Sequence, residues 1–417
     1  MTNSWRKRTL ALAGAVTAFA VVVAGCSDDD GDTSGDGVDL SVLGEADAAS
    51  GDPVEIMFNT PGNKSSAYTN ETEVAEATVK YINENLGGIN GRPIKLTMCF
   101  DELQAANARE CANKAVGSKA VAVLSGTPSN PDTIAAVTSP AGLPYFMVNG
   151  GGKESLTAPN SYVVTNTVGG IVGLPAELAK ERGYQKAAIL VIDAPLATQP
   201  ITGMGKLVFG NAGVELEVVT VPPGTADMTP QVQAVIDSGA KLVQVLGDIP
   251  FCTGAFKAMT TLNADIDKVA ISNCVSSESA AQIPGGYEGI TIRTTEDTNP
   301  DSADRKLFNA VLQKYGADGK EDGATAFRSL VAFQRSLSGM SGDITRESIV
   351  KRLNAQPEPV ESPLAAGLTF QCGTKPMAVT PNVCSGGIIA GTSDKDGNVS
   401  DVKTYDVAPL FKMPAAG

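Results

Sequence analysis

The chain has 417 residues, 42% of them hydrophobic, with 32 Lys and Arg against 46 Asp and Glu. A formal net charge of −14 argues against nucleic acid as a partner, because that affinity comes mainly from basic side chains neutralising phosphates. The absence of histidine removes Ser–His and Cys–His nucleophile pairs and every histidine-containing metal site, so neither an enzyme nor a bound cofactor or metal is expected.

At the N-terminus, Arg6, Lys7 and Arg8 precede a largely apolar stretch from Leu10 to Val23. A basic start followed by such a run reads as a secretory signal, too short for the roughly 18–20 residues of a spanning helix. Its end, Val23-Ala24-Gly25-Cys26, resembles a bacterial lipobox. That resemblance implies a signal peptide over 1–25, cleavage before Cys26 and a diacylglyceryl group on its thiol. The protein would then stand outside the cytoplasm, held to the cell membrane by lipid, since several acyl chains anchor durably where one binds marginally. Residues 26–52 are rich in Gly, Ser and Asp and too poor in large apolar groups to order themselves, so they read as a solvated acidic tether. Asp28, Asp30 and Asp32 look like the start of a calcium loop, but Thr33 stands where that loop needs glycine. Beyond Cys26 lie Cys99, Cys111, Cys252, Cys274, Cys372 and Cys384. An even number in an exported chain argues for disulfides, with the connectivity open and nearest neighbours in sequence the simplest pairing.

From Pro53 the pattern alternates strand and helix. VEIMFN (54–59), IKLTMCFD (94–101), AVAVLSG (120–126) and PYFMVN (144–149) read as strands, with helices over 71–85, 103–116 and 131–137 between them. The alternation resumes with a helix over 169–182, then strands AAILVID (187–193), VELEVVTV (214–221), KLVQVLG (241–247) and DKVAISN (267–273). Between these strands helices are expected over 201–211, 229–238 and 253–262, and further helices over 302–315, 324–337 and 345–354. The last stretch is strand-like, with DKDGN (394–398) as a hairpin turn. Short strands separated by helices imply parallel βαβ units, and the total is too long for one ordinary core. The expected fold class is therefore α/β, with two doubly wound lobes and a cleft between them.

Ligands of open α/β sheets bind beyond the carboxyl ends of the strands. In the first lobe that rule selects TPGNKSSAY (60–68) with Ser65, Ser66 and Tyr68, TPSN (127–130) with Thr127 and Ser129, and Asn149, Gly150 and Gly151 of the NGGGK loop. In the second it selects Thr198 of APLATQP, Asp248 of DIPFC and Asn273 before Cys274. These loops offer hydroxyls and backbone N–H groups rather than acid–base pairs. Thr127, Ser129 and Asn130 are equally suited to capping the helix that follows. Asp193 and Asp248 each end a strand, either as ordinary loop acids or as grips for a cationic group.

The run YINENLGGINGRPIKLTMCFDE (81–102), with LPYFMVNGGG (143–152) and KAAILVID (186–193) in order after it, resembles the branched-chain amino-acid binding proteins. These are type I periplasmic solute-binding proteins that deliver ligand to ABC importers. The resemblance implies two lobes joined by a hinge of crossovers, 53–165 with 294–360 and 166–293 with 361–417. It also implies a small-molecule solute, an ABC permease as partner, and a monomer. The family's usual hydroxyl after the fourth strand is replaced here by Asn149-Gly150-Gly151, and its acid in the second lobe by Asn273-Cys274. Those departures turn the expectation from a free α-amino acid toward an amino-acid-like molecule, an amide or a small organic acid. A ligand-sensing receptor component of the same fold is the alternative reading.

Overall fold

The computed structural model describes residues 38–62 and 70–413. The signal segment and Cys26, together with Ser65, Ser66 and Tyr68, lie outside the described residues. Among the described residues, no helix is long and apolar enough to cross a membrane.

The first series of elements is β1 (Val54–Thr60), α1 (Glu71–Asn85), β2 (Ile94–Phe100), α2 (Ala105–Gly117), β3 (Ala122–Ser125), α3 (Pro131–Thr138), β4 (Tyr145–Met147), α4 (Lys153–Thr157) and β5 (Ser161–Val163). Its strands form one parallel sheet in the order β2-β1-β3-β4-β5. After a π-helical turn over Gly169–Gly173 come α5 (Leu174–Glu181), β6 (Lys186–Ile192), α6 (Pro195–Ala212), β7 (Glu215–Val221) and α7 (Thr229–Asp237). They are followed by β8 (Leu242–Leu246), α8 (Ile249–Thr261), β9 (Asp267–Ile271), α9 (Ser277–Ala280) and β10 (Thr291–Thr294). The chain closes with α10 (Ala303–Tyr315), α11 (Ala324–Leu337), α12 (Arg346–Asn354), a short pair β11 (Val360–Glu361) and β12 (Thr369–Phe370), and the hairpin β13 (Gly387–Ser393) and β14 (Val399–Asp406). The second sheet runs β14-β13-β10-β9-β8-β6-β7, parallel from β10 to β7, with β13 and β14 added antiparallel. The α/β class and the repeated doubly wound order are as the alternation predicts.

Alternate residues of each strand serve opposite faces. In β1, Val54, Ile56 and Phe58 join a cluster with α1, α10, α11 and α12, whereas Met57 packs on the other face with Cys111, Ala112 and Ile134 of α2 and α3. In β6, Ala188 and Leu190 face α7 and α8, while Ala187, Ile189 and Val191 face α5 and α6. Helices therefore cover both faces of the parallel strands, as parallel sheets require. The stretch from Leu364 to Cys384, expected within the second lobe, contributes Leu364, Phe370, Cys372 and Cys384 to the first of these clusters. Helix α1 ends where Gly87 and Gly88 take positive φ, and a Cβ on Gly88 would stand 2.1 Å from the Arg92 carbonyl oxygen, so only glycine fits.

The cysteines pair as nearest neighbours in sequence: Cys99–Cys111, Cys252–Cys274 and Cys372–Cys384. The Asp394 side chain accepts from the backbone and side chain of Asn398 across the β13–β14 turn, which makes DKDGN a hairpin turn. Several boundaries depart from expectation. Residues 38–52, expected within the tether, include a 3-10 turn over Leu40–Leu43, with Leu43 buried in the first cluster. DIPFC, read as a loop, opens α8 at Ile249. APLATQP, taken as a loop, is the opening of α6, because Pro195 occupies the first helical position, where its fixed φ and missing N–H suit a helix start.

Candidate functional site

In the strand order 2-1-3-4-5, the connections leaving β1 and β3 run to opposite faces, and a crevice opens between them at the carboxyl edge. Glu71, the first residue of α1, fills the base of that crevice and is only 1% exposed. Its Oε1 accepts from the Thr127 N–H at 3.1 Å and from the Thr325 hydroxyl at 2.6 Å, and its Oε2 accepts from the Thr60 hydroxyl at 2.5 Å. Burial raises the carboxyl pKa above its ordinary value, the three hydrogen bonds oppose that rise, and the negative charge of Asp101 adds to it. Gly126 permits this approach, since a Cβ there would lie 2.3 Å from Glu71 Oε1.

Above this base the loops join in a polar network. The Asn149 amide donates to the Thr127 hydroxyl at 3.2 Å, and the Thr165 hydroxyl donates to Asn149 Oδ1 at 2.6 Å. The Ser129 hydroxyl donates to Asp101 Oδ1 at 2.7 Å, and Asn130 donates to Ser129 at 2.9 Å. Asp101 follows β2, where Glu102 and Leu103 take φ of 51° and 65° so that the Leu103 N–H closes on Asp101 Oδ1 at 2.9 Å. Two successive non-glycine residues in that region carry backbone strain, a feature concentrated at functional sites. Asp101 Oδ2 and Asn59 Oδ1 are buried acceptors with no partner among the described residues.

The structure thus brings Thr127, Ser129 and Asn149 together. None of Thr127, Ser129 and Asn130 caps α3 with its side chain; Asn130 is the N-cap residue and makes no such bond. Gly150 is buried against Val163, which a Cβ would meet at 2.8 Å, whereas Gly151 is exposed with only Pro131 nearby at 3.6 Å. Thr198 lies in α6 rather than in a loop, and its hydroxyl donates to the Ala194 carbonyl at 3.1 Å. Asp248 is the N-cap of α8 and accepts from the Phe251 N–H at 3.0 Å. It also lines a cavity of about 620 Å³ with Thr225, Ile249, Phe251, Lys257 and Gln282. Asn273 is exposed in a 3-10 turn, and Asp193 is exposed beyond β6. No hydrogen bond joins Thr198, Asp248 or Asn273 to one another or to the first-sheet network.

A family model described as periplasmic binding protein matches residues 62–380. The chain belongs to the periplasmic binding protein family. Its fold matches, with a TM-score of 0.68 at 16% identity, a Rhodospirillum rubrum protein assigned to a branched-chain amino acid ABC transporter, covering 84% of this chain and 100% of that one. An R. palustris ABC transporter solute-binding protein in complex with 4-hydroxybenzoate gives 0.63 at 19% identity, over 85% and 97% of the two chains. The Streptococcus pneumoniae branched-chain amino acid substrate-binding protein in complex with isoleucine gives 0.60 at 16%, over 85% and 99%. No sequence match to a curated protein is found.

In this periplasmic binding protein the strand-end rule locates the three loop residues and the stretch that Thr60 opens, but misses Glu71, Asp101, Thr165 and Thr325. Asp101 carried a signal, since it is the last residue of a predicted strand. Glu71 did not, because an acid in the first turn of a helix is ordinary on its own. Its raised pKa has a consequence for stability. A carboxyl whose folded pKa lies above its unfolded value costs nothing below that ordinary value of 4.5; the penalty grows as pH rises from there toward the folded value and is constant above it. Relative to the native protein, Glu71→Gln is therefore expected to gain stability as pH rises above the ordinary value of 4.5, as measured by urea denaturation. A stability difference independent of pH would contradict this.

Proposed function

We propose that this chain is a lipid-anchored, extracytoplasmic solute-binding protein that captures a small polar solute between two lobes and delivers it to the permease of an ABC importer. The lobes follow the two sheets, with the crossings after β5 and after β10 serving as hinge. The observation that carries this reading is the polar carboxyl edge of the first sheet, where hydroxyls, an amide and the unpartnered Asp101 Oδ2 cluster in a protein of this family. Asp101 Oδ2 accepts hydrogen bonds, so the matching solute group is a donor: an ammonium, an amide N–H or a hydroxyl. Relatives of the same fold have been solved with isoleucine and with 4-hydroxybenzoate, molecules that carry an ammonium and a hydroxyl respectively. Both support an amino-acid-like molecule, an amide or a small organic acid as the solute class. Among the described residues the Thr60 and Ser129 hydroxyls of this edge donate to carboxylates and no histidine accompanies them, and capture without turnover is its expected chemistry.

Thermal unfolding of the purified mature protein against amino acids, amides, aromatic acids and small carboxylates tests the reading. A true solute at 100 times its dissociation constant stabilises by about 2.7 kcal/mol and is recovered unchanged. Chemical conversion of the hit, or silence across the panel, would contradict the proposal. The anchor has its own test. Cys26→Ala should move the protein from the membrane to the soluble fraction, and continued membrane association would refute lipidation at Cys26.

A further inference from the structure

Three arginines gather where the chain leaves β10 and returns to the first sheet: Arg293 on β10, Arg305 on α10 and Arg328 on α11. Arg328 is 1% exposed and Arg305 8%, while Arg293 is partly buried. Arg305 keeps a buried, unpartnered Nε but is otherwise provided for. Its Nη2 donates to the Asp297 carbonyl at 2.9 Å and stands 3.5 Å from Glu296, and its guanidinium lies 5.4 Å from the centre of the Phe308 ring.

Arg328 is not. Its Nε donates to the Pro363 carbonyl at 3.1 Å, but Nη1 and Nη2 are both buried without a partner. The Nε of Arg293 is likewise buried and unpartnered, lodged in the space left by Gly170, where a Cβ would come within 2.6 Å of it. Burial lowers both guanidinium pKa values to about 10, and repulsion from Arg328 adds to the lowering at Arg293. Both side chains therefore remain cationic at neutral pH and are close enough to repel. The charges of Glu296 and Asp304 favour the Arg328 cation, but neither carboxylate hydrogen-bonds it, and the acids nearby are engaged elsewhere. Glu296 faces Arg305, Asp304 accepts from the Leu364 N–H at 2.8 Å and faces Arg335 at 3.5 Å, and Asp297 accepts from the Asn299 N–H at 3.0 Å. Buried cations with open donors are strongly unfavourable unless an anion compensates them.

We propose that the crossing after β10 is a binding site for a small anion, a carboxylate or a halide, held between Arg293 and Arg328. The two terminal nitrogens of one planar guanidinium match the two oxygens of a carboxylate, and Arg293 Nε supplies a third donor. β10 belongs to the second sheet and α11 packs on the first, so the anion ties together the two halves of the chain at their crossing. This inference stands independently of the solute reading, since a free anion satisfies it without any transported molecule.

The test is thermal unfolding of the purified protein in sodium chloride and, separately, in sodium acetate, with sodium HEPES holding the ionic strength constant. The native protein should show a saturable rise in Tm of a few degrees, and Arg293→Met and Arg328→Met should each lose it. Saturation by chloride and acetate alike identifies a site for free anions. Saturation by acetate alone identifies a carboxylate-selective site that a solute headgroup could also occupy. Should Arg328→Met fail to fold, Arg293→Met carries the comparison. No saturable rise in the native protein, or an equal rise in the native protein and the variants, would overturn the proposal.

Discussion

A single buried carboxylate holds the first half of this protein together. Glu71 belongs to α1, yet its three hydrogen-bond donors come from the end of β1, from the loop after β3 and from α11, which lies 254 positions further along the chain. A buried charge left short of partners is costly, so each of these segments is held in place by the others. The arrangement also sets the walls of the crevice at the sheet's switch point. Once Thr60, Thr127 and Thr325 are directed to Glu71, the loops above them can meet only as they do, with Asn149 bridging Thr127 and Thr165. The same constraint makes Gly126 necessary, because a side chain there would displace the carboxylate.

Polar burial is handled differently at the two ends of this architecture. At the carboxyl edge of the first sheet Glu71 is supplied with three donors, while one oxygen each of Glu73 and Asp101 remains without a partner. At the crossing after β10 buried guanidinium nitrogens of Arg293, Arg305 and Arg328 remain without hydrogen-bond acceptors. Both are departures from the rule that buried polar groups find partners within the fold. They occur at the carboxyl edge of the first sheet and where the chain passes between sheets, while the apolar clusters follow the strand alternation closely.

That alternation is why the architecture was legible in the sequence. Parallel strands buried on both faces leave short apolar runs such as AAILVID, and helices between them leave a different spacing. The family resemblance at 81–102 falls on the α1–β2 unit that these signals already define. Thr127, Ser129 and Asn149 were legible for a related reason: they follow strands, and strand ends face the crevice. Residues that act through distant partners were not. Glu71 becomes distinctive only when Thr325 is folded against it, and Arg328 reads as one more charge on an amphipathic helix until its burial is seen. At Asp248 and Thr198 only the local structure was misread, because a helix cap and a helix start both resemble loop chemistry when only composition is read.

The most direct measurement is hydrogen–deuterium exchange of the mature protein with and without the solute that the thermal screen identifies. Protection should appear together in the loops after β2, β3 and β4, around Asp101, Thr127 and Asn149, and in the loops after β6 and β8. Protection confined to one sheet, or located away from the carboxyl edges, would contradict capture of the solute between two lobes.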